Sequence, residues 1–99
     1  MKLHALFIAV AALPSIGFAA SGEQIYDKYC AGCHSSGMVE APQIGNPGQW
    51  GKRVELGNKS LMDSVKHGHN IMPPQGEVLK DEDLAAAIDY ILEKVCVKQ

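Results

Sequence analysis

The clearest pattern of apolar and polar positions lies near the C-terminus. Leu84, Ile88, Ile91, Leu92 and Val95 recur at one helical stripe's spacing. They predict an α-helix over 81–95. Ala85, Ala86 and Ala87 raise its propensity. Asp81, Glu82 and Asp83 load its first turn with negative charge, where the helix dipole favours it, and Lys94 and Lys98 sit toward the other end. A second, shorter stripe of Leu61, Met62 and Val65 predicts a helix over 59–67, with Asn58 as N-cap and Gly68 ending it. A third helix is predicted over 22–30. There Ser21 and Gln24 have capping-box spacing, and Ile25, Tyr26 and Tyr29 supply the apolar side.

Two stretches break this pattern. Residues 3–13 are largely apolar, follow Lys2, and lead through Pro14 and Gly17 to the small residues Ala19 and Ala20. That order is the order of a secretory signal peptide with cleavage after Ala19 or Ala20. The run is shorter than the ~20 residues that span a bilayer. Residues 1–20 are therefore expected to be a cleaved signal peptide and 21–99 an exported domain without stable membrane insertion. The second stretch, 35–57, contains five glycines plus Pro42 and Pro47 and has no strand-like alternation. So long an irregular loop in so small a domain needs something to pack against.

Roughly eighty residues make one domain with a thin core, which ordinarily needs a staple. Without Lys2 the chain has eight Lys and Arg against eleven Asp and Glu, a net charge of −3 with His neutral. That balance argues against a nucleic-acid binder. Residues 50–70 carry +2, whereas 75–99 carry −3. Such a dipole orients docking of a charged partner, although a solvated surface has the same look.

Cys30-Ala31-Gly32-Cys33-His34 supplies the missing staple. Cys-x-x-Cys-His is the attachment sequence of a c-type haem. The two thiols, three residues apart on one helical turn, suit two thioether bonds to the haem vinyl groups. The adjoining His34 then gives its imidazole to the iron. Attachment of haem after export places the protein in the bacterial periplasm.

The sixth ligand has several candidates. Met38 is close to His34 in sequence and poorly placed to reach the opposite face. Met62 lies on an apolar helix stripe, where core packing explains it. Met72 precedes Pro73 and Pro74, which bar helix and stiffen an extended support. A thioether ligand favours reduced iron. Met72 is favoured, with His69 and His67 as competitors that would give a bis-histidine iron of lower potential.

With both axial positions filled, the expected function is one-electron transfer between transient redox protein partners, with no catalysis. The alternative is a haem enzyme or gas sensor with an open sixth position. Thiol–disulfide exchange through Cys30 and Cys33 lacks its usual βαβ context. Zinc binding by Cys30, Cys33, His34 and Cys96 lacks a second closely spaced ligand pair. Cys96 is left over. It extends the apolar stripe or forms a disulfide between two copies of the chain.

Together with Ala41-Pro42, Trp50, Arg53, Gly57, Gly68, Met72-Pro73-Pro74 and the final helix, the haem motif resembles the class I cytochromes c. It is more narrowly similar to the small bacterial cytochrome c5 type. The resemblance implies an all-α fold of three to five short helices around one covalently bound haem, with the first and last helices crossing. It implies that Gly22 meets Tyr90 at that crossing, with Tyr26 beside them. It also implies that the Pro42 carbonyl accepts a hydrogen bond from His34 Nδ1, and that Trp50 and Arg53 lie near the haem propionates. The chain departs from the c5 pattern in one place: residues 75–79 lack the cysteine pair many such proteins carry there.

Overall fold

The computed structural model describes residues 20–96, apart from the side chain of Cys96. The expected signal peptide, except Ala20, and the pairing of Cys96 fall outside it.

The N-terminal helix forms because its first turn is capped from both directions. The Gln24 N–H donates to Ser21 Oγ at 3.1 Å, and the Ser21 N–H donates to Gln24 Oε1 at 2.8 Å. The helix continues to His34, four residues beyond its expected end, in three joined segments. These are α1 (Gly22–Ile25), a π-helical stretch (Tyr26–Cys30) and α2 (Ala31–His34). At the junction the Ala31 N–H reaches back five residues to the Tyr26 carbonyl.

A further helix, α3 (Pro47–Glu55), corrects the expectation that 35–57 is wholly irregular. Asn46 caps it by accepting the Gln49 N–H at 3.1 Å, and Pro47 occupies its first turn with φ already set. Trp50 and Val54, four residues apart, turn one side of α3 inward and join the same core cluster. α4 (Asn58–His67) begins one residue earlier than expected. Gly57 is its cap and makes no side-chain bond, so Asn58 is the first helical residue and not the N-cap. α5 (Asp81–Cys96) carries the apolar stripe.

α5 crosses the N-terminal helix at Gly22. A Cβ on Gly22 would collide with the Ala86 carbonyl and touch Tyr90 Cβ, so only glycine permits this approach. The crossing is held by Tyr26 and Tyr90, whose rings are 5.4 Å apart at 47°. Two apolar clusters flank it. Ile25, Leu79, Leu84 and Ala87 form one, and Tyr26, Trp50, Ile91 and Val95 the other. Burial of each such large aliphatic side chain stabilises the fold by roughly 1.5–3 kcal/mol. Cys30 packs against both clusters and therefore sits at their seam.

The architecture is all-α. Among the described residues its β structure is one isolated antiparallel bridge, between His69 and Met72. No described helix is long and apolar enough to cross a membrane.

Candidate haem site

The attachment motif occupies the end of the N-terminal helix. Cys30 and Cys33 are half-buried, and His34 is buried. Burial pushes the Cys30 thiol above its ordinary pKa, because a thiolate there would lose solvation. Tyr26, which reaches beneath the motif, hydrogen-bonds Ser35 Oγ through its hydroxyl at 2.9 Å.

The chain then doubles back. It leaves the helix through a tight turn in which Val39 and Glu40 adopt left-handed φ of 46° and 64°, a strained state for a β-branched residue. This reversal brings Pro42 to His34. His34 Nδ1 donates to the Pro42 carbonyl at 2.8 Å. A carbonyl only accepts, so the proton belongs on Nδ1 and the Nε2 lone pair is left for a metal. The Ile44 N–H also donates to the His34 carbonyl at 2.8 Å.

α3 fixes this returning segment. The Trp50 indole N–H donates to the Gln43 carbonyl at 2.8 Å, and the Gln43 N–H donates to Gln49 Oε1 at 2.8 Å. The Trp50 ring lies 5.7 Å from the His34 ring, centroid to centroid. Arg53 is exposed, and its guanidinium donates to the Gln49 carbonyl of its own helix. The indole N–H of Trp50 is therefore committed to Gln43, while Arg53 gives one of its five N–H groups to Gln49. The buried indole N–H needs a partner and finds it in Gln43.

Met72 lies on the other segment that sequence singled out. It pairs with His69 across the two-residue turn Asn70-Ile71. The His69 N–H donates to the Met72 carbonyl at 3.0 Å and the Met72 N–H to the His69 carbonyl at 2.9 Å. Asn70 has φ 54°, the positive value that tight hairpin turns use. Gly68 enters the hairpin at φ 91°, ψ 158°, a region open essentially to glycine alone. Its Cα faces the Met72 carbonyl and Pro74 so closely that a Cβ would lie 3.1–3.2 Å from them. The far end is tied to the last turn of α4, with the Gln75 N–H on the Val65 carbonyl at 2.8 Å and the Gly76 N–H on the Lys66 carbonyl at 3.1 Å. Lys66 also pairs with Asp81 at 3.1 Å. These bonds hold the 75–79 loop without a cysteine pair.

Of the other ligand candidates, Met62 packs on the core, Met38 is exposed, and His67 ends α4 at the surface. Half-buried Ile44, Val54, Leu61, Met62 and Val65 border the two clusters. Among the described residues no group of three His, Cys, Asp or Glu side chains is placed to hold a bare metal ion. Paired half-buried thiols, an imidazole held in the ligating tautomer and a half-buried apolar wall fit a haem c.

Sequence comparison agrees. The family model for cytochrome c oxidase, cbb3-type, subunit III, matches residues 17–91. A chain in the crystal structure of an electron transfer complex of nitrite reductase with cytochrome c superposes with a TM-score of 0.73 at 30% identity, covering 80% of this chain and 99% of that one. Cytochrome c551 of Ectothiorhodospira halophila gives 0.67 at 32% identity, covering 75% and 99%. The protein belongs to the class I cytochromes c, covalent haem proteins that carry electrons and are not enzymes. Within that class it is similar to cytochrome c5. The Azotobacter vinelandii protein of that name is 37% identical over 76 residues, 73% of this chain and 92% of the relative.

Proposed function

We propose that the protein is a periplasmic one-electron carrier with a single haem, linked through Cys30 and Cys33 and ligated axially by His34 and Met72. The haem iron supplies the redox chemistry by alternating between ferrous and ferric states. The observation that carries this reading is the His34–Pro42 hydrogen bond, which leaves Nε2 as the ring's one free nitrogen. The same bond fixes the orientation of the ring. Met72 would supply a soft sulfur donor from a hairpin tied at both ends. Two protein ligands on short tethers reduce rearrangement when an electron arrives or leaves. Trp50 backs the His34 ring, and Arg53 would reach a propionate with N–H groups it does not give to the Gln49 carbonyl. Partners are other redox proteins that dock briefly, in the manner of the nitrite reductase complex. Residues 1–20 direct export and are removed.

The test is the visible spectrum of protein expressed with haem-attachment machinery. A covalent low-spin haem with the weak far-red methionine–iron band is the expected result. A high-spin spectrum that changes readily with carbon monoxide would instead define an open site, as in an enzyme or sensor. The mature N-terminus, read by mass spectrometry of periplasmic protein, is expected at Ala20 or Ser21.

A further inference from the structure

His69 and Met72 form a directly opposed, hydrogen-bonded antiparallel pair. In such a pair both side chains project from the same face, with Cα atoms about 5.5 Å apart. The face that carries the Met72 thioether therefore also carries the His69 imidazole. That imidazole is exposed. His67, by contrast, lies in the last turn of α4, in a groove lined by Lys66, Pro74, Gly76 and Glu77.

We propose that His69 is a reserve sixth ligand, resting on the assignment of Met72 as the working one. When the Met72 sulfur leaves the iron, His69 Nε2 donates its lone pair in its place. One iron–sulfur coordinate bond is lost and one iron–nitrogen bond forms. No electron is transferred, and a neutral imidazole needs to give up no proton. The hairpin is built for so short an exchange. Its entry is anchored by the Gly68 N–H on the Ser64 carbonyl at 2.9 Å, and its exit by Gln75 on Val65. Movement is thereby confined to the Asn70-Ile71 turn and its flanks, next to Gly68, whose backbone adopts a region other residues resist. The stiff Pro73-Pro74 pair keeps the exit arm from collapsing. The consequence is a haem that stays six-coordinate after methionine loss, closed to small gases and peroxides.

The haem-loaded Met72→Ala protein tests this, with Met72→Leu as a second variant that preserves apolar volume. The thioethers keep the haem attached in both. The expected result is loss of the far-red band with retention of a low-spin ferric spectrum and a bis-imidazole electron paramagnetic resonance signal. Adding His69→Ala should turn either variant high-spin. A reserve ligand bound nine-tenths of the time slows carbon monoxide binding to the ferrous protein about tenfold, a delay the double variant should lose. High-spin single variants overturn the proposal, as does a double variant that remains low-spin. A far-red band that survives Met72→Ala overturns the assignment of Met72 itself, and so separates the two failures.

Discussion

The His34 side and the Met72 side of the site are built from different kinds of bond. On the His34 side, side chains reach backbone across the fold. His34 holds Pro42, Trp50 holds Gln43, and Gln49 holds the Gln43 N–H from the opposite direction. His34 and Trp50 are buried, and Trp50 also belongs to a core cluster. On the Met72 side, backbone bonds to α4 do most of the holding, and the ion pair beside them is exposed to water. His34 is thus part of the core, and Met72 is carried on a loop laced to a helix end. Local opening draws on the side with fewer buried contacts. The Met72 side should loosen first, with the His34 side yielding only on global unfolding.

The largest effect expected to break this contrast is Trp50→Ala. It removes a buried aromatic and the donor that steadies Gln43, and should cost about 3–5 kcal/mol in guanidinium unfolding followed by helical circular dichroism. Trp50→Phe isolates the hydrogen bond. The Gln43 carbonyl keeps the Asn46 N–H at 3.1 Å, so losing the indole bond should cost about 0.5–1.5 kcal/mol. In both variants the far-red band and the helical signal should be lost together.

Gly68→Ala sharpens the contrast from the other side. Its φ and ψ suit glycine, so the strain should be roughly 1–3 kcal/mol. The far-red band should then disappear at lower guanidinium than the helical signal, because the strain falls on the loop.

Alkaline titration addresses the His34 side. Burial, its largest cause, raises the Tyr26 phenol above its ordinary pKa of 10.0, against a smaller lowering by the Ser35 hydrogen bond. The unfolded chain then releases this proton at lower pH than the folded one. The Tyr26 contribution is complete below about pH 10 and declines as pH rises through the folded pKa. Thermal melts of Tyr26→Phe should show a shallower loss of stability across that window. The smallest effect belongs to the exposed Lys66–Asp81 pair. Asp81→Asn should cost under about 1 kcal/mol and should make the far-red band's guanidinium midpoint less sensitive to added salt.

Much of this organisation is visible in the sequence because it is local. The Ser21–Gln24 cap, the α5 stripe and the spacing of Cys30, Cys33 and His34 are each settled within a few turns of chain. α3 is harder to read because Gly48 and Gly51 dilute its propensity, although Asn46 followed by Pro47 marks its start. Asn58 looks like a cap because its side chain suits that position, yet Gly57 takes the role with a φ of 95°. The roles of Gln43 and Gln49 leave no local trace. They depend on a chain reversal that brings Pro42 under His34, and their polar side chains are typical of any loop or helix surface. The commitment of the Trp50 indole to Gln43 depends on the same reversal.

The π-helical stretch at Tyr26–Cys30 has a consequence for how the attachment motif is counted. Each α-helical residue advances the chain by about 100° around its axis, and the stretch inserts one residue beyond α-helical phase. Up to its first residue the helix is registered to α5 by Gly22 and Tyr26. From its last residue onward the same helix carries Cys30, Cys33 and His34 of the attachment motif. The surplus residue acts as a phase shifter that lets one rod obey two unrelated surfaces. The eight-residue interval from Gly22 to Cys30 therefore ties the helix crossing to the attachment motif through one shifted helical phase.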